Sequence, residues 1–205
     1  MPKAWLQDRK RDYYYKKAKK EMYRSRAAYK LFEAIKRYQF IEYGDVVIDL
    51  GAAPGGWMQA ARKTVGNKGF VLGVDLKEIE PFQQSYVKTL TCDLTEPDTV
   101  QQILEAIPRK ADAVISDASQ NISGIWEVDH ARQLDLAQQA LNIALRTLRT
   151  SGSLFLKVFQ GDLFADFLQK VKRNFANVTV VKPKASRPKS AEIYILARGL
   201  RPQED

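Results

Sequence analysis

The sequence has only one cysteine and one histidine in 205 residues. A lone Cys92 excludes a disulfide framework within the chain and fits a reducing compartment. With only His130 beside it, a zinc site of the usual Cys/His kind lacks ligands, and no metal is expected. Long apolar runs are also missing, since nothing approaches the roughly 20 residues that span a bilayer. The opening M-P-K-A-W-L-Q-D-R-K-R-D carries no apolar stretch ahead of a cleavage site. No secretory signal is therefore expected, and the cytoplasm is the expected location. A chain of this length can bury one sizeable core, so a single domain acting as a monomer is expected.

Excess charge is missing from most of the chain. Residues 1–37 hold 13 Lys or Arg against 4 Asp or Glu, while the other 168 residues carry 20 of each sign. The whole net charge of +9 thus sits on an N-terminal arm, R-K-R-D-Y-Y-Y-K-K-A-K-K-E-M-Y-R-S-R, with tyrosines among the basic residues. Localised basicity suits a polyanion such as RNA, because each neutralised phosphate releases counterions. The tyrosines have two readings: stacking on exposed bases, or packing beneath a solvated basic helix. The expected organisation is an arm over 1–24, a domain over 25–200 and a frayed tail over 201–205.

Beyond the arm, apolar strand-like runs alternate with helical segments, which predicts an α/β domain with a mostly parallel sheet. Seven strands are expected: Val46–Leu50, Phe70–Asp75, Val87–Thr91, Ala113–Ser116, Leu154–Phe159, Val178–Val181 and Ile193–Ala197. Helices are expected at about 56–65, 97–107, 129–150 and 162–175, on both faces of the sheet. The last two strands are joined by K-P-K-A-S-R-P-K-S, too short for a helical crossover, so they should form an antiparallel hairpin at one edge. In such sheets ligands bind beyond the carboxyl ends of the strands. Asp49, Asp75, Asp93, Asp117 and Lys157 all stand at or near such ends.

The first strand runs into D-L-G-A-A-P-G-G-W. Gly51, Gly55 and Gly56 permit turn geometry and close approach of backbone to a ligand, and a helix N-terminus follows. No G-K-[ST] is present, which excludes a phosphate-binding P-loop, and the spacing is not G-x-G-x-x-G. Asp75 is placed to accept from both hydroxyls of a ribose, and Asp93 to meet an adenine amine. A glycine loop followed by these acids reads as adenosine binding without phosphates, hence S-adenosylmethionine.

Four ionisable residues form the candidate catalytic set: Lys30 in S-R-A-A-Y-K-L, Asp117 in V-I-S-D-A-S, Lys157 in L-F-L-K-V-F-Q-G and Glu192 in S-A-E-I-Y-I. A lysine inside an apolar strand must either give up its proton more readily or find a carboxylate. Periodicity alone makes Lys30 a surface residue, opposite an apolar stripe of Ala28, Leu31, Phe32 and Ile35. Glu192, at the start of a strand, reads as a solvated edge residue.

In this order and spacing, these segments with V-V-I-D-L-G-A-A-P-G-G-W resemble the FtsJ/RrmJ family of RNA ribose 2′-O-methyltransferases, from about Trp5 to Ala197. The resemblance implies a Rossmann-like methyltransferase fold and a Lys-Asp-Lys-Glu tetrad falling on Lys30, Asp117, Lys157 and Glu192. It also implies cofactor contacts at Gly55, Trp57, Asp75, Asp93 and Asp117, and a large-subunit ribosomal RNA uridine as target. Lys157 is the expected proton acceptor for the attacking 2′-hydroxyl. One segment departs from the pattern. Bacterial relatives read S-D-M-A-P-N-x-S-G where this chain has S-D-A-S-Q-N-I-S-G, Ser116 to Gly124, which bears on the substrate. The arm also resembles that of relatives acting on tRNA anticodon loops, and an archaeal ribosomal enzyme is the expected identity.

Other classes fit less well. A base-carbon methyltransferase that forms a covalent adduct needs a nucleophilic cysteine, and Cys92 lies beside the proposed adenine contact instead. An adenine amino-methyltransferase would carry [DN]-P-P-[YF] where this chain has D-A-S-Q. An RNA-binding module without catalysis would have no need of the tetrad.

Overall fold

The computed structural model describes residues 12–120, 123–187 and 190–202. The first eleven residues of the expected arm, Asn121 and Ile122 of the departing loop, and the last three of the tail lie outside them. Elements run in the order α1 (Tyr13–Lys20), α2 (Ala28–Tyr38), β1 (Val46–Leu50), α3 (Gly56–Val65), β2 (Phe70–Asp75), β3 (Val87–Thr91) and α4 (Thr99–Ala106). They continue as β4 (Ala111–Ser116), α5 (Trp126–Thr147), β5 (Leu148–Phe159), α6 (Phe164–Asn174), β6 (Phe175–Val181) and β7 (Glu192–Leu200). One seven-stranded sheet has the order β3-β2-β1-β4-β5-β7-β6. The first five strands of that row are parallel, and β7 runs antiparallel to both β5 and β6.

The strands agree with the sequence reading at β1, β2 and β3 and extend beyond it at β4 to β7. The expected hairpin forms, but its second strand is not at the edge. β7 inserts between β5 and β6, with Lys157 opposite Tyr194 and Phe159 opposite Glu192. Glu192 is therefore on an interior strand and half-buried, correcting its reading as a solvated edge residue.

Alternation along the strands sorts the core into two layers, because successive side chains point to opposite faces. Val46, Ile48, Leu50, Leu154, Leu156, Val158, Ile193 and Ile195 pack with α4, α5 and α6. Val47, Ala113, Ile115, Phe155, Tyr194 and Leu196 pack with α2 and α3. The same parity carries Asp49, Asp117, Lys157 and Glu192 to the α2/α3 face, at the end of the sheet where the parallel strands finish. α1 lies on α2 through Ala18, Tyr14, Tyr23 and Tyr29, together with Ala185 of the β6–β7 connection.

Helix α2 buries a wider arc than its apolar stripe suggests. Ala28 and Leu31 are buried as expected, and burial continues through Ala34 to Lys30, which is 7% exposed. This corrects its reading as a surface residue. Alanine at 34 is small enough for close packing, and Lys30 is covered by the start of β7 rather than by water.

Candidate active site

Two glycines join the three motifs that frame the site. Gly51 has a φ of +74°, and a Cβ there would collide with Ala118, the neighbour of Asp117. A Cβ on Gly56 would collide with the Ser25 side chain in the S-R-A-A-Y-K segment. The glycine loop is thus pressed against the loop after β4 on one side and against the approach to α2 on the other. Gly55, at a φ of +102°, precedes the first turn of α3. Asp75 secures the loop from β2, accepting from the Ala53 N–H at 2.9 Å and the Lys77 N–H at 2.8 Å.

The structure brings Lys30, Asp117, Lys157 and Glu192 into one cluster, with a tyrosine at its centre. Lys30 Nζ lies 2.7 Å from Glu192 Oε1 and 3.8 Å from Asp117 Oδ2, and donates to the Tyr194 hydroxyl at 2.9 Å. Tyr194 in turn donates to Asp117 Oδ1 at 2.8 Å. Lys157, 6% exposed, donates to the Asp117 backbone carbonyl at 2.8 Å and stands 3.3 Å from Asp117 Oδ1. The strand lysine has found its carboxylate. Ser186 completes the chain of contacts by donating to Glu192 Oε1 at 2.8 Å.

Burial alone would raise the Asp117 carboxyl. The Lys157 and Lys30 ammonium groups and the Tyr194 hydroxyl outweigh it and hold the group below the usual carboxylate range. Burial, then the Asp117 and Glu192 carboxylates, push the Tyr194 hydroxyl well above the usual phenol range. Tyr194 therefore stays a donor and Asp117 stays ionised at neutral pH.

Beside this cluster opens a cleft of about 270 Å³, counting its solvent-open mouth, lined by Asp49, Gly51, Pro54, Gly56, Trp57 and Asp117 among others. Asp49 is 1% exposed, and among the described residues no well-formed hydrogen bond reaches either of its carboxylate oxygens. Burial first, then the Asp117 and Asp75 carboxylates, push Asp49 well above its ordinary range, and the Met58 amide opposes this only weakly. Trp57 is anchored by its indole N–H to the Ala27 carbonyl at 2.8 Å, and its ring stacks on Phe155.

Of the residues expected to meet the cofactor, Gly51, Gly56, Trp57 and Asp117 line this cleft. Asp75 stands behind the loop, and Asp93 lies out at the end of β3, where its Oδ1 accepts from the Thr95 N–H at 2.9 Å and the Thr95 hydroxyl at 2.8 Å. Those two bonds hold Asp93 below the usual carboxylate range. Cys92 neighbours Asp93 just after β3, whereas Asp117 follows β4, three places along the sheet, so Cys92 cannot act as a nucleophile at the cluster.

Sequence reasoning missed Tyr194 because a tyrosine in an apolar strand reads as core. The available signal was parity, since Tyr194 is two residues from Glu192 and must share its face. Arg26 was also missed. It pairs with Asp12, the N-cap of α1, and donates to the Ala185 carbonyl at 2.6 Å, tying α1 to the β6–β7 connection beside the cluster. The arm tyrosines divide: Tyr14 and Tyr23 pack on Tyr29 with ring centroids 5.5 Å apart, whereas Tyr13 is exposed.

The chain is 52% identical to a ribosomal RNA large subunit methyltransferase E of Methanothrix thermoacetophila, covering 93% of this chain and 73% of that protein. It is 49% identical to the protein of the same name from Methanocaldococcus jannaschii, over 96% and 81%. With that of Methanothermobacter thermautotrophicus it shares 43% identity over 100% and 97%. A solved structure from Plasmodium falciparum, described as a ribosomal RNA methyltransferase, superposes with a TM-score of 0.79 at 25% identity, covering 88% of this chain and 100% of that one. Residues 23–200 match the FtsJ-like methyltransferase family as a whole. The chain belongs to the FtsJ-like methyltransferase family.

Proposed function

We propose that this protein methylates the 2′-oxygen of a ribose in RNA, with a uridine of large-subunit ribosomal RNA as the target. The observation that carries this reading is the buried Lys30–Asp117–Lys157–Glu192 cluster opening beside the glycine loop. The archaeal relatives named as large subunit methyltransferases support the choice of RNA.

The cleft suits S-adenosylmethionine on the chemistry of its walls. A cationic methyl donor is favoured next to buried carboxylates, and Asp49 offers two oxygens that no well-formed hydrogen bond reaches among the described residues. Asp49, Gly51, Gly56, Trp57 and Asp117 would hold the methionine end, while Asp75 and Asp93 lie toward the adenosine end. Bound there, S-adenosylmethionine supplies an activated methyl group.

The residues around it supply position and a place for the proton. A 2′-hydroxyl is a weak nucleophile at neutral pH, so removal of its proton during attack speeds transfer by about 10²–10⁴-fold. Lys157 Nζ is the acceptor in this reading, and it takes that proton as a neutral amine, having released its own ammonium proton to solvent before attack. It is aimed by the Asp117 carbonyl and the Asp117 carboxylate, both on the loop that presses against Gly51. Lys30 and Tyr194 fix Asp117 from the other side, and Glu192 fixes Lys30. Alignment of the hydroxyl in a dry site adds its own large share of the rate.

The test is methyl transfer from labelled S-adenosylmethionine to isolated tRNA, ribosomal RNA and ribosomal subunits, followed by nucleoside analysis. Label is expected in a 2′-O-methylated nucleoside of large-subunit RNA. Lys157→Ala should abolish transfer while S-adenosylmethionine binding survives in calorimetry. Label in tRNA would move the substrate to the anticodon-loop alternative, and an active Lys157→Ala would remove Lys157 as proton acceptor.

A further inference from the structure

Trp126 opens helix α5 and is 45% exposed, although it is among the largest apolar side chains of the protein. Its ring is not loosely held. The His130 ring lies parallel to it at 5° with centroids 5.5 Å apart, and the Phe159 ring lies at 18° and 6.1 Å. His130 itself is seated tightly. It is buried, and a Cβ on Gly161 would collide with its ring, which explains the glycine in L-F-L-K-V-F-Q-G. The preceding residue, Asp129, accepts from the Ser123 N–H and hydroxyl at 2.8 Å each and from the Gly124 N–H at 3.0 Å. The end of the loop that begins at Asp117 is thereby pinned next to Trp126.

Position gives this aromatic stack its meaning. Phe159 is two residues beyond Lys157 on β5, about 6–7 Å along the strand. Of the other exposed aromatic rings among the described residues, Tyr43 precedes β1 at the opposite end of the sheet and Tyr13 lies on α1. Trp126 is thus the exposed ring on the rim beside Lys157, where a strand of RNA must enter for its ribose to reach that amine. An aromatic ring held by its neighbours loses little freedom on binding, and unstacked bases seek such faces in single-stranded RNA.

We propose that Trp126 is a stacking platform for a nucleobase flanking the methylated nucleotide, so that this rim binds RNA as an unpaired strand. The inference rests on the RNA methylation reading above. It identifies Ser123 to Trp126, the described end of the departing loop region, as a substrate-facing side of the site.

The test uses the full chain with a uridine-containing single-stranded RNA, the same sequence closed in a duplex, and assembled large subunits. Stacking on one base is worth about 1–3 kcal/mol, so Trp126→Ala should weaken single-strand binding and raise the RNA KM by roughly 5- to 150-fold. Affinity for S-adenosylmethionine should be unchanged. Trp126→Phe should restore most of the binding, whereas Trp126→Leu, which keeps apolar bulk without a π face, should not. The unsubstituted protein should prefer the single strand to the duplex, and the preference should shrink in Trp126→Leu. Equal RNA binding by the Leu variant and the unsubstituted protein would overturn the proposal. So would a loss seen only with assembled subunits, which would make the partner a protein. Because binding is read independently of turnover, absence of methyl transfer by the unsubstituted protein would count against the methylation reading and not against the platform.

Discussion

The carboxylates along the sheet are held in two different ways. On the β2–β3 side, Asp75 and Asp93 rest on the Lys77 and Thr95 amides of the turns that follow them, with Thr95 adding its hydroxyl to Asp93 and the Ala53 amide of the glycine loop adding a bond to Asp75. On the β4–β5–β7 side, Asp117 rests on two ammonium groups and a phenol drawn from α2, β5 and β7. Asp49, between the two sides, has the Met58 amide beside it but no side-chain partner among the described residues. A turn can hold a carboxylate without help from the rest of the fold, so the β2–β3 side is largely a local construction, tied to the glycine loop through the Ala53 amide. The other side exists only when three distant segments meet. The molecule thus separates a locally built half of the site from a globally built half, with an unpaired acid at the seam.

The largest effect should come from breaking the global half. Asp117→Asn leaves Lys30 and Lys157 buried with one shared counter-charge removed. Loss of one partner from a buried ion pair costs about 3–5 kcal/mol, so denaturant midpoints should fall clearly and methyl transfer should drop at least ~10²-fold. Unfolding curves matching those of the unsubstituted protein would mean that the cluster is not held by its charges. The depressed Asp117 carboxyl gives the same reading through pH. Its stabilising contribution should be present above the ordinary carboxylate range and vanish as pH falls through its lower folded value.

A smaller effect is expected at the centre of the same cluster. Tyr194→Phe removes one hydroxyl that accepts from Lys30 and donates to Asp117. The stability cost should be about 1–1.5 kcal/mol, with kcat lowered about tenfold through misplacement of Asp117 and with KM for S-adenosylmethionine little changed. A fall in cofactor affinity equal to the fall in kcat would instead assign Tyr194 to the cleft.

The smallest effect should appear at the seam, and with the opposite sign. Asp49 is raised by burial, so its contribution to stability is full below the ordinary carboxylate range and is lost as pH rises through its folded value. Asp49→Asn should therefore raise the melting temperature at pH 8 by roughly 2–4 °C, the response of a chain this size to about 1 kcal/mol. Little change is expected at pH 4. The same variant should bind S-adenosylmethionine more weakly. A melting temperature lowered at both pH values would show that Asp49 is paired in solution.

The locally built half of the site was also the legible half. D-L-G-A-A-P-G-G-W, Asp75 and Asp93 could be assigned from strand ends and turn chemistry, since those are short-range features. Lys157 and Asp117 were legible from strand position and the cost of burying an ammonium. Lys30 and Glu192 were not legible from their own surroundings. The arc of α2 that buries Lys30 passes through Ala34, a residue equally at home inside or outside. The interior place of β7 depends on a strand order that chain order does not reveal. Family resemblance supplied those two residues, and the fold explains them.

The insertion of β7 between β5 and β6 has a consequence for when the protein can act. Lys30 and Tyr194 touch across 164 residues, and Tyr194 lies on β7, the last in chain order of the seven strands among the described residues. A ribosome making this chain therefore has to deliver residues 30 to 194 before any competent site can exist. A nascent or truncated chain ending before residue 192 would present β5 with an open edge in place of a methyltransferase. In such a protein β7 must be in place before activity begins, and a chain cut short within β7 is expected to be inert and prone to aggregate.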